Sequence, residues 1–312
     1  MNGDIDVSVV ISTYNSTTFL DLTVEKVVSA MNELGSNYEI ILVDDGSSDS
    51  TWTTVVRLAS QHKAVRGVRL RNNSGQHSAT LCGIRSARGD VIVTLDDDLQ
   101  HDPAHICELL SPIQTGESDA VFALFSNPRV GRIRRFGSFL IQNVYRWLGL
   151  VEAGSRVSSF RAFSRPVAEF VSLTAMTEPV INAEIVRRSR QIANVSMVHN
   201  KSIRGTSGYG FRGISRLTRQ IVFNYSSLPL KITARLSMLV GIITALISFG
   251  LVMSALIRTG TAPGWASLIA IVSFTSLPIL VTLATISEYL SLIASHQRRD
   301  SPYIVQQTTH AD

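Results

Sequence analysis

The chain has 312 residues, 45% of them hydrophobic, with 29 Lys+Arg against 24 Asp+Glu and a net charge of +5. That length accommodates one sizeable soluble domain and a further element; the charge is modest, its location matters more than its size, and no nucleic-acid partner is expected. Two cysteines, Cys82 and Cys107, are too few for a disulfide framework and too ordinarily placed for a metal centre, so a reducing compartment fits.

Met1 to Asp6 is short, acidic and without an apolar core, so no signal peptide is predicted ahead of the first strand. Val7 to Ser12 reads as that strand, followed by the helix-capping run Tyr14-Asn15-Ser16. Tyr38 to Val43 is a second strand ending in Asp44-Asp45-Gly46-Ser47, and Val65 to Leu70 a third closed by Asn72-Asn73-Ser74-Gly75. Val91 to Leu95 and Ala120 to Phe125 are the fourth and fifth. Helical patterns at Leu20 to Leu34, Ser50 to Ser60, Gln76 to Ala87 and Pro103 to Gln114 lie between them. This alternation predicts an α/β fold with a mostly parallel sheet and flanking helices, its polar strand ends forming one functional rim.

Asp96-Asp97-Asp98 ends the fourth strand. Successive side chains of an extended segment point to opposite faces, so Asp96 and Asp98 share one side and Asp97 takes the other. Two converging carboxylates in the crevice at a strand end suit a hard divalent cation that also bridges substrate phosphates. The plainer alternative is an acidic turn that caps the next helix through Asp102-Pro103. At the second strand, Asp44 can accept hydrogen bonds from a nucleobase or ribose, although Asp-Gly is also a common surface turn. Asn73 to His77 opens a helix, where backbone N–H groups favour anions. His77 has no partner at metal-ligand spacing and is treated as a structural residue or one that backs the site.

Beyond residue 130 the pattern changes. Arg132 to Trp147 carries Phe136, Leu140, Val144 and Trp147 at helical spacing with Arg132, Arg135 and Arg146 elsewhere. After the strand Ile192 to Val198 comes Arg204-Gly-Thr-Ser-Gly-Tyr209, whose glycines allow close backbone approach while Arg204 can bind phosphate. Phe211 to Leu228 is a second basic amphipathic stretch. Such helices beside a membrane anchor suit the bilayer interface; ordinary domain helices on a core would carry the same spacing. Leu236 to Ile257 and Trp265 to Ser287 are free of charge and each long enough to cross a hydrocarbon core of about 30 Å. A C-terminal two-helix transmembrane hairpin is predicted, with spans at 236–257 and 265–287. Lys231, Arg235, Arg298 and Arg299 flank its outer ends while the connecting loop offers Arg258, which places both termini and the catalytic part in the cytosol of a multi-pass inner-membrane protein. The predicted organisation is a catalytic domain over 1–210, an interface helix over 211–230 and the hairpin with its cytosolic tail over 231–312.

Ser8-Val-Val-Ile-Ser-Thr-Tyr-Asn15, Ile41-Leu-Val-Asp-Asp-Gly-Ser-Ser-Asp49, Gly75-Gln-His-Ser-Ala79, Gly89-Asp90, Leu95-Asp-Asp-Asp-Leu-Gln100 and the Arg204 loop, in that order, resemble the family 2 GT-A glycosyltransferases. Within that family they are most similar to the polyprenyl-phosphate sugar transferases, over essentially the whole chain. The resemblance implies a GT-A fold, a nucleotide-sugar donor, a polyprenyl-phosphate (undecaprenyl-phosphate) acceptor, a lipid bilayer and Mg2+ or Mn2+. It implies Asp44 and Asp45 at the nucleotide, Asp96 and Asp98 at the metal and donor diphosphate, and Arg204 and Ser207 approaching the diphosphate. Arg134 and Ser138, one helical turn apart, match an Arg and Ser that bind the lipid phosphate in a relative. Asp97 is not implied as a ligand. Relatives often carry an acid, proposed as a catalytic base, where this chain has Ser159.

Two other classes stay open on sequence. A membrane polysaccharide synthase is disfavoured by its motif being one residue out of spacing in Gln142 to Trp147 and by too few spans for a channel. A non-catalytic scaffold or flippase is disfavoured by acids at separate strand ends. Gly241 and Ala245 form a small-xxx-small face compatible with a homo-oligomer.

Overall fold

The computed structural model describes residues 5–99, 101–126, 142–143, 146, 156–174, 176, 179–198, 221–224, 226, 228–257, 264–297 and 301–309. The predicted contacts at Arg134, Ser138, Arg204 and Ser207, most of the helix over 132–147 and the greater part of that over 211–228 lie outside these residues. The chain divides into two compact units, residues 1–218 with 299–312, and residues 219–298.

In the first unit the chain runs β1 (Val7–Thr13), α1 (Leu20–Leu34), β2 (Tyr38–Asp44), α2 (Thr51–Gln61), β3 (Val65–Leu70), α3 (Gln76–Ser86) and β4 (Val91–Asp96). A 3-10 turn at Pro103–His105, α4 (Ile106–Gln114), β5 (Ala120–Ser126), β6 (Arg161–Ser164), α5 (Arg165–Ser172), α6 (Ile181–Arg188) and β7 (Ile192–Val198) follow. Asp102 caps the 3-10 turn by accepting from Ala104 N, with Pro103 at the first position, where the missing N–H costs nothing. β8 (Val305–Thr308) completes an eight-stranded sheet of order β7-β5-β6-β4-β1-β2-β3-β8. The pairs β4-β1, β1-β2, β2-β3 and β5-β7 are parallel, whereas β6 is antiparallel to both neighbours and β8 is antiparallel to β3.

Alternation along the strands loads both faces. Val7, Val9, Ile11, Ile40, Leu42, Val91, Val93 and Leu95 join Leu20, Val24, Val27, Met31, Leu58, Ile106 and Leu109 of α1, α2 and α4 in one buried core. On the other face α3 lies so close that a Cβ on Gly83 would stand 2.2 Å from Val10 Cγ1. The mostly parallel sheet with helices on both sides is therefore the predicted architecture, buried on both faces as parallel sheets require. β6, α5, α6 and β8 are additions for which the sequence offered no element.

β8 pairs with β3 through Val68↔Thr308 and Arg69↔Gln307. Arg71 N donates to Ile304 O at 2.8 Å, and Gly67 and Thr309 exchange hydrogen bonds at 2.8 and 3.0 Å. Arg85 secures the approach to this strand, donating to the Tyr303 hydroxyl at 3.2 Å while its guanidinium lies 5.5 Å from the centre of the Tyr303 ring.

The second unit contains α7 (Leu228–Ile257) and α8 (Trp265–Gln297), 30 and 33 residues long. Both extend past the predicted spans, α7 by eight residues at its start and α8 by ten at its end. They join through polar side chains: Ser237 Oγ lies 2.7 Å from Thr282 Oγ1 and donates to Pro278 O at 3.3 Å. Among the described residues, Phe274–Ser291 in α8 is the stretch long and apolar enough to cross a membrane.

Candidate active site

The C-terminal ends of β4, β1, β2 and β3 line one rim, with Ser12 paired to Asp96, Thr13 to Asp44 and Asp44 to Arg69. From β1 the chain builds outward through β2 and β3, then returns to place β4 on the other side of β1. Such a reversal of strand order is where open α/β sheets open a ligand crevice. Because β1 alone separates β2 from β4, the two acid clusters stand about 10 Å apart across the strands, a span suited to an elongated ligand.

At the β2 end the acids are drawn into the fold. Asp44 is fully buried; its Oδ1 accepts from Ser47 N at 3.0 Å and its Oδ2 lies 3.4 Å from Arg69 Nε. Arg69 also donates to Ser47 O at 3.3 Å and lies over the Trp52 ring. Asp45, also buried, accepts from Ser74 N at 2.7 Å and Gly75 N at 2.9 Å, which ties the β2 turn to the loop after β3. Desolvation raises its carboxyl to about 6, even though these two N–H donors pull the other way. Gly46 has φ of 66°, and a Cβ there would stand 2.7 Å from Asn72 C, so the turn requires glycine. Asn15, at φ 48°, donates its N–H to Ser47 Oγ at 2.9 Å and accepts from Ser48 N at 3.0 Å, joining the β1 and β2 loops.

At the β4 end the strand stops at Asp96, and Asp97 and Asp98 lie in the turn that follows instead of continuing the extended segment on which the predicted alternation depends. Asp97 is buried, and its backbone carbonyl accepts from Thr23 Oγ1 of α1 at 3.2 Å. Asp96 and Asp98 are half-buried, with 26% of the Asp96 side chain exposed. Leu99 follows at φ 57°, a left-handed conformation that a leucine adopts at a cost of about 1 kcal/mol or more, and it is buried. Such strain is stored where surrounding structure over-determines it, here next to the half-buried acids.

Three residues from other elements converge on Asp96. Gln76 Nε2, in the first turn of α3, donates to Oδ1 at 2.5 Å, and Ser159 Oγ donates to Oδ2 at 2.7 Å. His101 Nε2 lies 3.9 Å from Oδ2 and 3.4 Å from Ser159 Oγ, its ring stacked on Phe160 at 5.5 Å. Arg161, at the start of β6, is buried and donates to Asn182 Oδ1 and Ser158 O. Burial first, and the Arg161 charge second, hold His77 down to about 4, so it is neutral at pH 7.

The sequence singled out Asp96 but none of its partners in that role. Gln76 was noted as opening a helix and Ser159 as a lost acid; the antiparallel β6 places Ser159 beside an acid 63 positions earlier, while Gln76 reaches the same acid from the first turn of α3. Among the described residues there is no group of three or more His, Cys, Asp or Glu able to hold a metal. Two half-exposed carboxylates form an all-oxygen donor set that fits a hard cation completing its shell with substrate phosphate and water.

The family model for glycosyl transferase family 2 matches residues 8–166, from β1 into α5. An undecaprenyl-phosphate 4-deoxy-4-formamido-L-arabinose transferase of Shewanella sediminis is 30% identical over 313 residues, covering 98% of this chain and 93% of that protein. A protein of the same description from Pectobacterium carotovorum is 29% identical, covering 98% and 94%. A solved mycobacterial protein superposes with a TM-score of 0.50 at 19% identity, over 70% of this chain and 73% of that one.

Proposed function

Because this chain belongs to glycosyl transferase family 2, we propose that it transfers a sugar from a nucleotide-sugar donor to a polyprenyl phosphate, undecaprenyl phosphate in a bacterium, with inversion at the anomeric carbon. The observation that carries the reading is the end-to-end likeness to undecaprenyl-phosphate sugar transferases, over 98% of the chain, in a molecule with half-exposed Asp96 and Asp98 at the C-terminal end of β4.

The donor is proposed to lie across the rim. Its nucleoside rests at the β2 end, against the turn that Asp44 and Asp45 hold in shape, and its diphosphate reaches the β4 end. Mg2+ or Mn2+ held by Asp96 and Asp98 would neutralise charge on the departing nucleoside diphosphate. Arg204 and Ser207 are proposed to contact the diphosphate, and Arg134 and Ser138 the lipid phosphate. An oxygen of that phosphate attacks the anomeric carbon in line, forming one C–O bond as the bond to the donor diphosphate breaks. A phosphate monoester has its second pKa near about 6, so the nucleophile is already anionic at neutral pH. Positioning rather than deprotonation is then what the protein must supply, which accommodates a serine at position 159.

The reaction is placed at the cytoplasmic face of the inner membrane, supplying a lipid-linked sugar for cell-surface glycan modification. The pairing of β8 with β3 in one sheet supports this topology: residues before and after the hairpin share a compartment, so the chain between them crosses a bilayer an even number of times. The test is the full chain in nanodiscs with undecaprenyl phosphate, Mg2+ or Mn2+ and a panel of labelled UDP-, GDP- and dTDP-sugars. Label in the lipid extract that disappears with EDTA and returns with added metal is expected. No lipid-linked product from any donor would overturn the proposal, and label in a long polymer would replace it with a polysaccharide synthase.

A further inference from the structure

We infer that Gln76 and Ser159 are positioning residues that hold the Asp96 carboxylate from both sides, setting the affinity of the site for its divalent cation. The inference rests on the metal-dependent reading above and adds to it two residues bonded to the Asp96 carboxylate.

The geometry is specific. Each oxygen of Asp96 accepts one hydrogen bond from a neutral side chain, Oδ1 from the Gln76 amide and Oδ2 from the Ser159 hydroxyl. A carboxylate oxygen has two lone-pair directions, so a bond from Gln76 or Ser159 does not by itself exclude a cation. Neutral donors fix orientation without cancelling the charge the cation needs.

Both donors are themselves held. The backbone carbonyl of Ser159 accepts from Thr94 Oγ1 at 2.8 Å, and Thr94 stands two residues before Asp96 on β4, paired with Arg161 of β6. The strand that carries the acid thus also fixes the residue that orients it. Gln76 follows Gly75, whose N–H, like that of Ser74, is bound to the buried Asp45 carboxylate. Asp45 therefore acts at a distance on Asp96: it anchors the loop that delivers Gln76. Ser159 Oγ also lies 3.4 Å from His101 Nε2, and stacking on Phe160 keeps that imidazole in place. Residues orienting a metal ligand typically govern affinity by about 10- to 100-fold.

The experiment titrates Mn2+ into the detergent-solubilised full chain, with and without inorganic pyrophosphate, and reads bound ion from loss of the free Mn2+ paramagnetic resonance signal. Ser159→Ala and Gln76→Ala are each expected to weaken Mn2+ binding by about 10-fold or more, while Ser159→Thr, which keeps the hydroxyl, stays within about threefold of the parent. Melting temperatures identify any variant that has lost its fold, and the Ser159→Thr comparison then stands in its place. Unchanged Mn2+ affinity in folded Ser159→Ala and Gln76→Ala overturns the inference and leaves the metal site intact. Loss in Ser159→Thr equal to that in Ser159→Ala also overturns it, since the hydroxyl would then not be the cause. A parent chain that binds no Mn2+ under either condition removes the metal-dependent reading itself, a failure visible before any variant is made.

Discussion

Two acidic clusters end the parallel strands that flank β1 on the same rim, and the fold treats them oppositely. At β2 the carboxylates of Asp44 and Asp45 are buried and bound to backbone N–H groups and Arg69, so their charge builds loops. At β4, Asp96 and Asp98 remain half-exposed, and Asp96 accepts from the side chains of Gln76 and Ser159. An acid pair at a strand end is therefore not one motif. What its oxygens already bind decides whether it can bind anything else.

The largest effect should come from the β4 side. Asp98→Ala is expected to lower transfer by about 1000-fold, roughly 4 kcal/mol of barrier, with the melting temperature of the catalytic unit unchanged. Asp97→Asn should leave Mn2+ affinity where it was. Equal loss in the two variants, measured as initial rate and as bound Mn2+, would break the assignment of faces.

On the β2 side the order of effects reverses. Arg69→Ala strands the buried Asp44 carboxylate and should cost roughly 3 kcal/mol of stability in chemical denaturation, with Mn2+ affinity preserved. A variant that kept its stability and lost the metal would erase the contrast between the clusters. Gly46→Ala sets a Cβ against the Asn72 backbone at a positive φ, and about 1–3 kcal/mol of destabilisation is expected from a thermal melt.

The smallest effect is a change of slope with pH. Asp45 has its folded pKa raised from 3.8 to about 6, so between these values the native state binds more protons than the unfolded chain and stability falls as pH rises. His77 is lowered from 6.5 to about 4, so across nearly the same window its contribution rises with pH. The two oppose one another. Asp45→Asn should leave a melting temperature that climbs from pH 4 to 6.5, and His77→Gln one that declines from pH 4 to 6; identical profiles for both would show that neither group titrates as placed.

Much of this rim can be read from the chain alone, because each strand ends where apolar residues give way to acids. The observed β1, β2 and β4 each run one residue beyond the apolar stretch, to Thr13, Asp44 and Asp96. Ladder pairing continues after hydrophobicity stops: Thr13 pairs with Asp44 and Ser12 with Asp96. The ladder ends at Asp96, so the strand alternation read for Asp97 and Asp98 meets a turn instead. β6 is not legible from the chain, since Arg161–Ser164 is four residues without an apolar run and owes its existence to the β4 and β5 edges it bridges. The contact of Ser159 with Asp96 inherits that obscurity, and that of Gln76 depends on where the first turn of α3 lands beside β4.

The pairing of β8 also has a consequence for how the molecule is made. The ribosome delivers β3 early and its antiparallel partner only after both long helices have been synthesised. Until then β3 is an open sheet edge, an invitation to wrong pairing. Synthesis of the helices and closure of the sheet are thus ordered in time, and the completed edge records that both long helices have already been made.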